Sequence, residues 1–231
     1  MSFGQNLQFL RRMRRGMTQE DLAERMGVSR QTISKWETGE AFPEMDKAAE
    51  ICGIFSCTMD ALFREDMGAG SEAYSNLRVE KAKAFSYVRY AVISPEPEHD
   101  SIAHIKVWAQ EQGLSEPDIV GWDFPHVSQE QINVFHMHGY AAACILPEGF
   151  TPLKNSLEII RQPEQDYAVI TIRDPFRAPF TLIPNAYKTL MAYMQVNGQR
   201  HACGKEAIEC FERQYEREGT QYMDVYIAAE G

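Results

Sequence analysis

Apolar residues recur three and four apart over the first quarter of the chain, and at alternate positions over much of the remainder. Leu7 and Leu10 share one helical face, Leu22, Ala23 and Met26 a second, and Ile33 and Trp36 a third. Ala48, Ile51 and Cys52 repeat on a fourth, and Thr58, Asp60 and Leu62 suit one more short helix. Local signals bound these segments. Thr18 caps a helix start, and Asp21 three residues later completes a capping-box pattern. Gly27 stops that helix, because glycine takes the left-handed C-terminal conformation cheaply. Ser29 caps the next helix, and Pro43 stands where a following one would begin.

Residues 67–71 (MGAGS) are small and flexible and read as a linker. After them the period changes. Residues 85–94 are rich in aromatic and β-branched side chains and predict a strand, and residues 102–112 predict a helix ended by Gly113. Short apolar runs at 119–124 and 140–146 predict a strand pair. The order then repeats: a strand at 167–173, a helix at 184–196, and strands at 208–215 and 223–228. The expected fold is therefore two domains. An all-α, five-helix helix-turn-helix unit covers 1–66, a linker covers 67–79, and an α+β domain of two tandem βαββ units covers 80–231.

Composition narrows the function classes. A chain of 231 residues with 44% apolar content is long for one five-helix unit and suits two cores. No stretch approaches the roughly 20 apolar residues of a spanning helix, and the N-terminus has no signal-peptide pattern. No membrane partner is expected, and the cytoplasm is the expected compartment. Five cysteines, at 52, 57, 144, 203 and 210, are odd in number and scattered, which is no disulfide framework. His136 with His138, and His201 with Cys203, lack a matched second pair at zinc-site spacing, so neither metal nor cofactor is expected. Net charge is −10, of which residues 1–66 carry −2 and residues 67–231 carry −8. Within the first unit the positive charge gathers at 11–15, Arg25, Arg30 and Lys35, so one face can still meet phosphate.

With Ile33 and Trp36 pointing inward, the helix that starts after Ser29 presents Arg30, Gln31, Ser34 and Lys35 outward, with Ser29 and Thr32 at the margins. Arg and Gln are the side chains that bond bidentately to guanine and adenine edges in the major groove. The whole run 3–63, with TQEDLA at 18–23, VSRQTISKWE at 28–37 and the following Pro43, resembles the Cro/C1-type (XRE) helix-turn-helix regulators. That resemblance implies a double-stranded DNA operator bound by a homodimer. By position, Arg30, Gln31 and Ser34 would reach bases, while Gln19, Ser29, Thr32 and Lys35 would hold the backbone. Gln19 would also brace the reading helix. The segment from Arg11 to Thr18 is one residue longer than is usual in that family. Ala69-Gly70 matches the dipeptide cut in self-cleaving repressors, but no matching serine motif follows, so autoproteolysis is not expected.

The second domain is similar to the GyrI-like effector-binding domain of multidrug-responsive AraC- and MerR-type regulators. GWDFP at 121–125, GY at 139–140 leading to LPEGF at 146–150, QDYAV at 165–169, Phe211-Glu212 and MDVYI at 223–227 carry the likeness in order. It implies a cleft between the two halves for a small, cationic or aromatic effector, with a strand glutamate as counter-charge. Glu212 fits that position. Glu209 would lie on the opposite strand face unless a bulge exchanges the two. Asp224 is the second candidate carboxylate, and Trp122, Phe124, Tyr140, Tyr187 and Tyr226 are the candidate cleft aromatics. Trp108 and Trp36 are read as core. The expectation is a ligand-responsive transcription regulator, not an enzyme, with no catalytic residue. The alternatives are a GyrI-like hydrolase in which a cleft Glu activates water, and a protein-binding domain like the gyrase-inhibiting relatives.

Overall fold

The computed structural model describes every residue except 1, 15, 69–70, 125, 154–156, 203, 205–206 and 231. Arg15, the Ala69-Gly70 dipeptide, Pro125 and Cys203 therefore lie outside the described residues. The first unit is five helices: α1 (Phe3–Met13), α2 (Gln19–Met26), α3 (Arg30–Thr38), α4 (Met45–Phe55) and α5 (Met59–Arg64). Their ends follow local chemistry. The Thr18 hydroxyl accepts from the Asp21 amide and the Asp21 side chain returns to the cap backbone, while Gly27 closes α2 at φ 63°. Ser29 caps α3 through the Thr32 amide. Leu7, Leu10, Leu22, Ile33, Ile51 and Leu62 fill the centre and are fully buried.

The expected linker ends earlier than the sequence suggests. β1 (Tyr74–Ala82) begins inside residues 67–79 and pairs with β6 (Gln165–Arg173). Its alternation is broken by a bulge between Ser75 and Arg78, where Asn76 takes φ 52°, and that break hid the strand. Next come β2 (Phe85–Ser94), α6 (Pro97–Glu111), β3 (Asp118–Asp123), the short α7 (Gln129–Asn133), β4 (His138–Ile145) and β5 (Ile160–Gln162). After β6, α8 (Pro179–Val196) starts earlier than expected and keeps Pro184 in its interior. β7 (Arg200–His201), β8 (Cys210–Arg217) and β9 (Thr220–Glu230) complete the chain.

The strands form one antiparallel sheet in the order β1-β6-β9-β8-β3-β4-β2-β5, with β7 paired to β9. The two βαββ units are β2-α6-β3-β4 and β6-α8-β8-β9, joined along the β3–β8 seam, and β5 and β1 extend their outer edges. Directly opposed residues share a face. Ala142, Gly121, Glu212 and Val225 are opposed in turn across β4, β3, β8 and β9, so they mark one face of the sheet. α6 packs on that face over Val88, Ala142 and Cys144, and α8 packs on it over Ile170, Val225 and Ile227. The other face curls over Tyr87, Val120, Tyr167, Phe211 and Tyr226. The seam lies between the two helices. No helix among the described residues is long and apolar enough to cross a membrane.

Candidate functional site

In the first unit, α3 turns Ile33 and Trp36 into the core and leaves Arg30, Gln31 and Lys35 exposed, with Thr32 and Ser34 half-buried. The Ser29 and Thr32 hydroxyls are 2.9 Å apart and engage each other. Gln19 donates its side-chain amide to Glu37 at 2.9 Å, which ties the start of α2 to the last turn of α3. Glu37 also accepts from Arg11 Nε at 2.6 Å and Nη2 at 3.0 Å, and Arg11 Nη1 reaches the Met17 carbonyl. Arg14 donates to the Ile54 carbonyl. The basic run is thus divided by structure. Arg11 and Arg14 are taken up inside the protein, whereas Arg12 is exposed beside Thr18, Gln19 and Arg30 around a shallow concavity.

In the second unit, the seam holds Glu212. Its neighbour across the ladder is Gly121, where an added Cβ would sit 2.3 Å from Tyr140 Oη. Glycine there leaves room for the Tyr140 ring to pass over the seam. Tyr187, on α8, donates its hydroxyl to Glu212 Oε1 at 3.0 Å, and the Tyr140 hydroxyl adds a lesser bond. Asp123, two residues along β3 from Gly121, and Glu98, in the first turn of α6, are the other carboxylates. Among the described residues, no Lys or Arg lies within ion-pair reach of Glu212, Asp123 or Glu98.

Glu212 keeps some solvent contact but is surrounded by protein on most sides. Burial pushes its pKa up to about 7; the Tyr187 bond opposes that rise, and Asp123 and Glu98 add to it. Burial, then the Glu212 carboxylate, pushes the Tyr140 and Tyr187 hydroxyls far above the usual tyrosine range. Burial also raises Asp123.

Of the sequence candidates, Tyr140 and Tyr187 are brought to Glu212, and the others are not. Trp122, Asp224 and Tyr226 are on the opposite face, because each is one residue out of phase with Gly121 or Val225. Tyr226 stacks on Phe211 at 4.2 Å. Asp224 accepts from Thr171 Oγ1 at 2.6 Å and Tyr215 Oη at 3.1 Å, with Arg78 Nη2 at 3.6 Å, so its charge serves the sheet. Trp122 and Glu209 border a separate cavity of about 900 Å³ on that face. Phe124 lies past the end of β3, edge-on to His126. Sequence reasoning passed over Asp123 and Gly121 as site residues, although both stand in the GWDFP run. Glu98 had no sequence signal, because its approach depends on how α6 crosses the sheet.

Comparison with known proteins bears on the first unit. Residues 8–62 match the family described as Helix-turn-helix. Over 91 residues the chain is 40% identical to the HTH-type transcriptional activator BcrR of Enterococcus faecalis, a match spanning 38% of this chain and 42% of that protein. Over 52 residues it is 42% identical to the uncharacterized HTH-type transcriptional regulator YgzD of Bacillus subtilis, spanning 22% of this chain and 79% of that one. The chain belongs to the helix-turn-helix family of transcriptional regulators. This regulator's match thus spans less than half the length of BcrR. Among solved structures, the regulator is similar in outline to the EcmrR C-terminal domain, with TM-score 0.47, 10% identity, and 67% of this chain and 97% of that one covered. It is also similar to SAV2435 bound to tetraphenylphosphonium, with TM-score 0.41, 11% identity, and 68% and 95% covered.

Proposed function

We propose that this regulator reads an operator through α3 and changes its operator affinity when a lipophilic aromatic cation enters the Glu212 cleft. One observation carries the reading. Three carboxylates, the half-buried Glu212 and the more exposed Asp123 and Glu98, act on one another beside two tyrosine rings, with no Lys or Arg in ion-pair reach among the described residues and His138 facing Asp123. Leaving such charge partly desolvated is costly, and a ligand cation offsets the cost by ion pairing and by contact with the ring faces. α3 supplies the DNA side with exposed Arg30, Gln31 and Lys35, and Arg12 supplies a phosphate contact. A two-fold dimer on a pseudo-palindrome gives such a unit enough contact for specificity. The ligand acts only through a difference in its affinity for the two DNA-competence states.

Calorimetric titration with tetraphenylphosphonium tests the cleft. The wild-type chain is expected to bind it, and Glu212→Gln, which keeps shape but removes charge, to bind about tenfold or more weakly. A neutral aromatic of similar size is expected to change little. Equal loss of both ligands would overturn the counter-charge reading.

A second reading rests on the elevated pKa of Glu212, about 7, which suits a general base in a hydrolase. Turnover of a small electrophilic substrate by the wild type, abolished in Glu212→Gln, would favour it.

A further inference from the structure

α8 touches both units at places that matter. Near its middle, Tyr187 donates its hydroxyl to Glu212. At its end, the last turn is built into the helix-turn-helix unit. Val196 is buried in the same core as Leu10, Met17 and Ile51. Gln195 donates its amide to the Ser56 carbonyl, just beyond α4. The Asn197 amide bridges the Tyr193 carbonyl at 2.8 Å and the Met13 carbonyl, the last of α1, at 3.2 Å. In return, Met13 is buried in the core under α8 with Tyr193 and Met194.

The stretch from Tyr187 to Val196 is continuous helix, about 13 Å long at 1.5 Å per residue. Upstream of it is a weak point. Pro184 has no N–H to give the Phe180 carbonyl, so the helix lacks one backbone hydrogen bond less than one turn before Tyr187. The helix that follows is held at both ends, by Glu212 at Tyr187 and by the helix-turn-helix unit at residues 195–197. From Met13 the path into the reading helix is short. Arg11, two residues earlier on α1, holds Glu37 in the last turn of α3 with both arms of its guanidinium.

We propose that α8 is the transmitting element of this regulator: a cation reaching Glu212 displaces the Tyr187 hydroxyl, swings the 185–197 rod about Pro184, and shifts the seat of α1 and thereby of α3. The cation arm rests on the effector reading above; the mechanical link does not. Packed seats of this kind switch between discrete arrangements instead of deforming smoothly, so a small displacement at Tyr187 produces a defined change at Met13. Both the cleft and the operator then bias one two-state element, which is the physical requirement for coupling.

A double-mutant cycle on the full chain tests the link. The probes are a DNA duplex selected in vitro against the wild type, and tetraphenylphosphonium. Tyr187→Phe removes the hydroxyl but keeps the ring. Gln195→Ala with Val196→Ala loosens the seat, and Gln195→Ala alone is the milder partner if the pair lowers the melting point. Without any cation, Tyr187→Phe is expected to change duplex affinity about fivefold, and less than about twofold once the seat is loosened. With cation, the seat variant is expected to bind it as the wild type does, yet to lose the effect on duplex affinity. An equal Tyr187→Phe effect in both backgrounds, or none in either, overturns the link. If the wild type does not bind the cation at all, the effector reading falls, and the cation-free cycle still decides the role of α8.

Discussion

The Arg11 guanidinium holds both carboxylate oxygens of Glu37, at 2.6 and 3.0 Å, and the Glu37 side chain is only 1% exposed. This pair fixes α1 against the end of α3 and takes up one of the positive charges of the 11–15 run. Removing one partner of such a pair leaves a buried, uncompensated charge. Arg11→Ala is therefore expected to destabilise the helix-turn-helix unit by about 3–5 kcal/mol, read by thermal melting. Arg12→Ala, at an exposed position, should leave the melting point in place and flatten the salt dependence of DNA binding. A stable Arg11→Ala with only weakened DNA binding would show that Arg11 faces phosphate instead.

Arg30 and Gln31 are exposed at the start of α3, and the proposed function has them read the operator. Arg30→Ala is expected to cost about 1–3 kcal/mol on a selected site and to relax base preference at one position in each half-site. Competition binding against a set of single-base variants measures both. Retained preference at every position would remove Arg30 from base contact.

Glu212 makes stability depend on pH in a defined direction. Its folded-state pKa of about 7 lies above the ordinary glutamate value of 4.5, so between those values the folded chain binds more protons than the unfolded one. Stability contributed by the neutral acid is complete below about 4.5 and lost as pH rises through 7, by up to about 3 kcal/mol. Glu212→Gln should thus melt higher than the wild type at pH 8, with the gap closing at pH 5. In the same window, cation binding should run the opposite way, weakening as acid neutralises the carboxylate. A gap between the two proteins that is constant from pH 5 to pH 8 would mean that Glu212 is solvated.

Gly121 is expected to be intolerant of any side chain. Gly121→Ala places a methyl group 2.3 Å from the Tyr140 hydroxyl and 2.5 Å from its ring edge, so the buried ring must shift. The expected loss is about 1–3 kcal/mol of stability together with cation binding, measured by melting and titration. Adding Tyr140→Ala to Gly121→Ala should recover part of the stability and none of the binding. Full tolerance of Gly121→Ala would show that the ring does not cross the seam.

What the sequence determined on its own was local. Thr18, Gly27 and Ser29 define α2 and α3 because caps and left-handed stops act within one helical turn, and Arg30, Gln31 and Lys35 follow from the 3.6-residue period. Glu212 was legible as a candidate, but the choice between it and Glu209 stayed open until strand pairing set Glu212 opposite Gly121 and Val225. Which side chains of other strands share its face was not legible. That depends on register between strands far apart in sequence, and the pairing of Gly121 with Glu212 sends Tyr140 to the site and Trp122, Asp224 and Tyr226 away from it. The positive charge of the 11–15 run was legible, but not that the fold would bring Glu37 to Arg11 and the Ile54 carbonyl to Arg14. The joining of the two units was decided at the same level. Val196 and Met13 read as ordinary apolar helix positions, and only tertiary packing buried each in the other unit's core, because burial depends on what arrives from elsewhere in the chain.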